Sequence, residues 1–213
     1  MRWRKISDAV VRRLPIYLRV LDEIAQNDES ALISSQELGN KAGVGPALVR
    51  KDLAWFGEFG KQGVGYEVEY LRSELRKILN LESEIKVALV GVGSLGLALT
   101  RYNVKRYSED DSFNLHIVAL FDDDPNKIGN TVEGIEIHPF SKVEEIIPQE
   151  GIQMAILTVP GSEAQRVADT LVKYGVKAFL NFAPTKLNVP PHVHVASSDL
   201  SLELQRLAYY LQD

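Results

Sequence analysis

The sequence predicts an α/β protein of two modules, an N-terminal winged-helix (helix-turn-helix) domain followed by a Rossmann-like dinucleotide-binding domain. Two stretches carry this expectation. Val49 to Tyr66 reads V-R-K-D-L-A-W-F-G-E-F-G-K-Q-G-V-G-Y, a short helix pattern running into glycine-punctuated aromatics. Gly91 to Gly96 reads G-V-G-S-L-G and follows directly on the apolar run Ile85 to Val90. The third observation is charge. Residues 1–80 hold 13 Lys and Arg against 11 Asp and Glu, whereas residues 81–213 hold 11 against 18. A faintly basic front with an acidic rear suits a nucleic-acid module fused to another domain, although the net charge of −5 argues against indiscriminate polyanion binding.

From the N-terminus, Pro15 to Ala25 places Ile16, Leu18, Val20, Leu21 and Ile24 at helical spacing, with Pro15 tolerated in the first turn. Ser34 followed by Glu37 is a capping box that starts a second helix, ending near Ala42. Gly43-Val44-Gly45 then forms a tight turn, and Pro46 opens a third helix expected to reach about Phe56, where Gly57 stops it. Helix, glycine-containing turn, helix is the helix-turn-helix pattern. In the third helix Val49, Leu53 and Phe56 share one face, while Ala47, Arg50, Lys51 and Ala54 share the other. Two cations flanked by alanines let a helix lie deep in a groove, with Arg suited to guanine and Lys to guanine or phosphate. The alternative for this face is ordinary solvation. Gly63 to Val68 reads as a hairpin arm, hence a wing, with Lys61 at its tip to meet phosphate or the minor groove. A further helix, Tyr70 to Leu81, leads to a linker at 81–84.

Ile85 to Val90 has the continuous apolarity of a strand buried on both faces. In the glycine loop that follows, Gly91 would make the sharp turn, Gly93 would admit a pyrophosphate to the backbone, and Gly96 would let the next helix pack close to the sheet. That helix is expected to run from Leu97 to about Tyr102, with Lys105 to Asn114 as a polar loop. Val92, Ser94 and Leu95 fall within the same anion-binding turn, whose helix N-terminus offers free N–H groups. The second strand, His116 to Phe121, ends at Asp122, where a carboxylate accepts ribose hydroxyls and disfavours a 2′-phosphate, so NAD(H) is expected over NADP(H). The alternative for Asp122 is a helix cap; Asp123 and Asp124 are expected to be solvated, with Asp124-Pro125 starting a turn.

Three more strands are expected at Gly134 to His138, Met154 to Val159 and Ala178 to Phe182, with helices at Val143 to Ile147 and Ser162 to Tyr174. Thr158-Val159-Pro160 and Asn181-Phe182-Ala183-Pro184 fall at the carboxyl ends of strands, where open α/β sheets bind ligands. No catalytic constellation is evident. His192 and His194 have no visible third ligand, so no metal site is assigned. A dinucleotide fold without an acid or base implies binding rather than turnover. The chain has no cysteine, so redox sensing would have to pass through a bound cofactor. The N-terminus lacks the apolar core of a signal peptide, and Val87 to Thr100 is shorter than the ~20 residues that span a bilayer, so a cytoplasmic location without a membrane partner is expected. In the tail Leu200, Leu204, Leu207 and Leu211 form one stripe while Leu202, Tyr209 and Tyr210 point elsewhere; residues 198–213 are expected to insert into a partner subunit.

Taken together, R-L-P at Arg13 to Pro15, V-R-K-D-L, F-G-E-F-G, G-V-G-Y, G-V-G-S-L-G, F-D-D-D-P at Phe121 to Pro125, L-T-V-P at Leu157 to Pro160 and N-F-A-P at Asn181 to Pro184 resemble the Rex family of redox-sensing transcriptional repressors. The resemblance implies a homodimer with swapped C-terminal helices. It also implies an inverted-repeat operator, bound when NADH is scarce and released when NADH binds; the direction of that response comes from the resemblance alone. By motif, Ser34, Ser35, Ala47, Arg50, Lys51, Lys61 and Gly63 would serve DNA. Gly91 to Gly96 and Asp122 would hold adenosine and pyrophosphate, and Thr158 to Pro160 with Asn181 to Pro184 would border the nicotinamide. Tyr102 resembles a tyrosine that reaches a partner aspartate in the NADH-bound form. Asp199 takes the place of that aspartate, and Arg13 that of its arginine partner on DNA. Leu200 departs from relatives that carry an aromatic residue there, which bears on discrimination between NADH and NAD⁺. The rival readings are an NAD-dependent dehydrogenase with an extra N-terminal domain and a CoA- or nucleotide-binding structural subunit; the latter leaves Arg50, Lys51 and the wing unexplained.

Overall fold

A computed structural model describes residues 6–27, 31–61, 63–110 and 112–211. The chain divides into two compact units, Met1–Ser83 and Glu84–Asp213.

The first unit contains helices α1 (Asp8–Val11), α2 (Leu14–Gln26), α3 (Ser35–Ala42), α4 (Pro46–Leu53) and α5 (Val68–Ile78), with strands β1 (Leu32–Ile33), β2 (Gly60–Lys61) and β3 (Gly65–Glu67). Tyr17, Leu21 and Ile24 from α2 pack with Leu38, Val49, Leu53, Leu71 and Leu75 in one core. The capping box forms: the N–H of Glu37 donates to Ser34 Oγ at 3.1 Å. Gly43 ends α3 in the left-handed region at φ 71°, where glycine carries no Cβ penalty. Two expectations are corrected here. Helix α4 stops at Leu53 rather than near Phe56, because the N–H groups of Trp55 and Phe56 turn back to the carbonyls of Asp52 and Leu53 in tighter i→i+3 bonds. The hairpin of β2 and β3 gains a third strand, β1, which pairs antiparallel to β3 with Ile33 opposite Tyr66.

The second unit is a seven-stranded sheet in the order β10-β9-β8-β4-β5-β7-β6. Its strands are β4 (Ile85–Val90), β5 (Leu115–Asp122), β6 (Thr131–Val132), β7 (Ile135–Pro139), β8 (Met154–Leu157), β9 (Ala178–Asn181) and β10 (His194–Ser197). All neighbours run parallel except the β6–β7 pair. Helices α6 (Ser94–Glu109), α7 (Val143–Glu150) and α8 (Gly161–Lys173) connect them, and α9 (Leu200–Ala208) closes the chain. Alternation along β4 splits the core between the two faces of the sheet. Ala88 and Val90 pack with the Val167 and Leu171 side of α8, and Val87 and Leu89 with Ile117, Ile137 and the Leu97 side of α6.

The expected polar loop at Lys105 to Asn114 is also corrected, since α6 continues to Glu109. Its exposed charges pair one turn apart, Lys105 with Glu109 and Arg106 with Asp110, each at 3.8 Å. Tyr107 stacks on the His116 ring at 4.1 Å and donates to Glu84 at 3.2 Å, so the last turns have tertiary anchors. Burial opposes ionisation of Glu84, but the His116 bond dominates and holds its carboxyl below the usual value. Among the described residues no helix is long and apolar enough to cross a membrane.

Candidate functional sites

In the first unit, α4 is turned as its sequence predicts. Val49 and Leu53 are buried, while Ala47, Arg50, Lys51 and Ala54 are exposed. A groove of about 680 Å³ lies between α4 and the β2–β3 hairpin. Ser34, Ser35, Arg50, Lys61 and Gly63 line it; Ala47 and Lys51 are exposed on α4 beyond its lining. The Arg50 guanidinium donates to Ser35 Oγ at 2.8 Å, which aims the cation at the groove. Burial pushes the Tyr66 phenol, which also lines the groove, above its usual pKa, partly offset by the Arg50 charge.

Asp52, not singled out by the sequence reading, anchors this helix. It is 1% exposed, and it accepts from Arg13 Nε at 2.5 Å, Arg13 Nη2 at 2.8 Å and Tyr17 Oη at 2.8 Å. The Asp52 hydrogen bond raises the Arg13 pKa further, and burial with that bond pushes the Tyr17 phenol well up. The signal was in the spacing: Asp52 lies three residues after Val49 and therefore on the buried stripe.

In the second unit a cleft of about 460 Å³ opens at the carboxyl ends of the strands, where β5 and β8 flank β4 and the strand order reverses. The three glycines have distinct roles. Gly91 has φ +97°, and a Cβ there would lie 2.7 Å from the Thr158 carbonyl oxygen. A Cβ on Gly96 would lie 2.2 Å from the Gly91 carbonyl oxygen, so α6 could not approach the loop as it does. Gly93 faces open space, leaving the backbone at the N-terminus of α6 approachable. Thr158 Oγ1 donates to the Gly91 carbonyl at 2.6 Å and ties the loop to β8.

Asp122 sits at the end of β5 with both oxygens engaged. Oδ2 accepts from the Val92 N–H at 2.7 Å and from Lys127 Nζ at 3.0 Å, and Oδ1 accepts from the Asp124 N–H at 2.9 Å. Burial opposes its ionisation, but these three donors outweigh burial and hold the carboxyl below its ordinary value.

Gly91, Gly93, Asp122, Thr158, Val159 and Pro160 meet in the cleft lining. Other sequence-nominated residues lie outside it. Val92 is buried and its N–H is taken by Asp122, Ser94 and Leu95 are exposed on α6, and Gly96 is a packing contact. Asn181 is fully buried and organises its own turn, donating to the carbonyls of Ala183 and Thr185 while accepting from the Ala183 N–H; Phe182 is half-buried and Pro184 exposed. The cleft also holds residues that sequence reasoning missed: Asp123, Lys127, Phe140, Glu163 and Arg166. Asp123 is solvated as expected, with 69% side-chain exposure, and lies 3.6 Å from Arg166, whose guanidinium also meets Glu163 at 2.9 Å and sits 5.5 Å above the Phe140 ring. These contacts join α8 to the loop after β5, a juxtaposition without a local sequence signature.

The remaining nominated residues are separate from the cleft. Tyr102 is 60% exposed on α6 and accepts from Arg106 at 3.0 Å. Asp199 caps α9, accepting from the N–H groups of Ser201 and Leu202. Leu200 opens a helix with no buried residue; on it and on the 3₁₀ turn that follows, Leu202, Leu204, Leu207, Tyr209 and Tyr210 are all at least half exposed. Among the described residues no cluster of three or more His, Asp or Glu side chains is arranged for a metal; His194 opens β10, in register with Ala178 of β9.

A helix-turn-helix unit with a wing, joined to a Rossmann unit with a glycine-rich cleft, is the architecture of a nucleotide-responsive transcriptional regulator. Residues 5–54 match a family described as putative DNA-binding protein N-terminus, and residues 82–185 match the CoA binding domain. A redox-sensing transcriptional repressor Rex from Brevibacillus brevis is 50% identical, with 97% of each chain covered. One from Chloroflexus aurantiacus is 47% identical over 96% of this chain and 93% of the relative. Among solved structures, the Rex-family repressor RSP in complex with β-NAD⁺ and operator DNA superposes with a TM-score of 0.88 at 38% identity, covering 98% of this chain and 93% of that one. RSP in complex with β-NADH gives 0.83 at 36% identity, covering 98% and 95%. The chain belongs to the Rex family of redox-sensing transcriptional repressors.

Proposed function

We propose that this chain represses transcription as a homodimer that grips an inverted-repeat operator and lets go when NADH fills the Rossmann cleft. Residues 1–80 form the DNA-binding domain, 81–84 the linker, 85–197 the NAD(H)-binding domain and 198–213 the dimerisation helix. The observation that carries this reading is the pairing, in one chain, of the groove between α4 and the wing with a glycine-lined cleft at the strand-order reversal. It is supported by a close relative, RSP, found with β-NAD⁺ and operator DNA and with β-NADH. On DNA, Arg50 and Lys51 read bases and phosphates, with Ala47 allowing close approach, Ser34 and Ser35 at the groove edge, and Lys61 and Gly63 in the wing. In the cleft, Asp122 and the Gly91 to Gly96 turn hold adenosine and pyrophosphate, and Thr158 to Pro160 with the Asn181 to Pro184 turn border the nicotinamide.

The bare apolar surface of α9 supports insertion into a second copy. Across that interface Asp199 would exchange between Tyr102 of the other subunit in the NADH-bound state and Arg13 in the DNA-bound state. In this structure both Asp199 cap bonds use Oδ1, and Asp52 engages two of the N–H groups of Arg13. Two recognition helices must stand one helical turn apart, ~34 Å, to read both half-sites, and the NADH-bound arrangement loses that spacing. A hundredfold weakening of DNA binding needs about 2.7 kcal/mol of coupling, within the usual allosteric range. The chain binds dinucleotide without turning it over, and it works in the cytoplasm, where its operator lies.

Fluorescence anisotropy with labelled operator tests the domain assignment. Arg50→Ala should weaken specific DNA binding by ~1–3 kcal/mol and leave NADH affinity unchanged. Equal loss of both ligands would undo it, and substrate-dependent NADH oxidation by the purified chain would favour the dehydrogenase reading instead.

A further inference from the structure

The carboxylate that should select the cofactor is already paired. Asp122 retains 11% side-chain exposure, and Lys127, at 35%, places its ammonium 3.0 Å from Oδ2. A carboxylate has roughly four acceptor positions. Val92, Asp124 and Lys127 occupy three of them, so a ribose with two hydroxyl donors meets one open acceptor and an ammonium. An acidic residue at the end of the second strand rejects a 2′-phosphate chiefly through its negative charge. Here that charge has a cation against it. Lys127 also has a second carboxylate within reach, Asp124 Oδ2 at 3.9 Å, which can hold the ammonium if Asp122 is released. The other acids at the cleft, Asp123 and Glu163, are paired with Arg166 and leave the Asp122–Lys127 pair as the element facing the ribose.

We propose that Lys127 is a specificity-determining residue of the cleft: its ammonium offsets Asp122 and offers a donor to a phosphate on the adenosine ribose, so the site admits NADPH as a weaker second ligand. Asp122 still favours the free diol, which donates to it, and Lys127 sets how steep that preference is. This rests on the reading that the cleft holds NAD(H).

Dissociation constants of NADH and NADPH, measured by nicotinamide fluorescence on the full-length protein, test it with Lys127→Met and Lys127→Arg. The ratio of NADPH to NADH dissociation constants should rise about tenfold in Lys127→Met, as expected when a charged hydrogen bond to phosphate is lost, with NADH itself changed far less. Lys127→Arg, which keeps the cation, should stay near the parent ratio. Equal weakening of both ligands would place Lys127 at the shared pyrophosphate and overturn the proposal, as would an unchanged ratio or no NADPH binding to the parent protein. Failure of all three proteins to bind NADH would instead remove the cofactor reading and this inference with it. Lys127→Gln serves if the methionine variant does not fold.

Discussion

Replacing Asp52 with alanine removes the acceptor of three hydrogen bonds at once, two from the Arg13 fork and one from the Tyr17 hydroxyl. What remains is a guanidinium with 22% side-chain exposure and a phenol on a fully buried residue, both without that carboxylate. Breaking a buried ion pair from one side costs about 3–5 kcal/mol. Because Arg13 keeps some access to water, the lower end applies, about 3 kcal/mol. In a unit of this size each kcal/mol moves the midpoint by roughly 4–8 °C, so a fall of about 12–24 °C is expected. Tyr17→Phe leaves the ion pair and should cost about 1.5 kcal/mol. The assay is built into the sequence: both tryptophans, Trp3 and Trp55, precede residue 83, so tryptophan emission during urea or thermal unfolding follows the first unit alone. A loss under about 1 kcal/mol for Asp52→Ala would refute the view that this cluster fastens α4 to α2.

Gly96→Ala places a Cβ 2.2 Å from the Gly91 carbonyl oxygen, so the start of α6 must shift; NADH should bind at least about tenfold more weakly, and gel shifts with operator should become insensitive to NADH. Asp122 has a folded pKa below its unfolded value, so its stabilising contribution is complete above about pH 4 and is lost as pH falls through the folded pKa. Thermal melts between pH 6 and pH 3 should therefore show a shallower acid loss for Asp122→Asn than for the parent, and identical slopes would contradict the assignment. Deleting residues 198–213 should convert a dimer into species near half its mass by light scattering, and an unchanged dimer would show that α9 does not make the interface.

Features set by neighbours in sequence are legible in the sequence itself. Ser34 and Glu37 cap α3 within one turn, Val49 and Leu53 face inward by spacing, and strand, glycine loop and helix follow one another around Gly91. Features set by distant partners are not. Strand β1 has two residues and exists through its pairing with β3, and β10 is defined by its register against β9. The last turns of α6 look like a polar loop until Tyr107 meets His116 at the start of β5. In the cleft the glycines and Asp122 announce themselves by motif, whereas Lys127, Phe140 and Arg166 enter from other elements and carry no local pattern. Asp52 was visible as a carboxylate on a buried stripe, but its partners Arg13 and Tyr17 lie more than thirty positions upstream, so its purpose was not.

Titrating NADH into the protein with and without saturating operator DNA tests the coupling most directly. The account predicts that operator weakens NADH binding by the same factor by which NADH weakens operator binding, because linkage makes the two equal. A single NADH affinity, unmoved by operator, would contradict it.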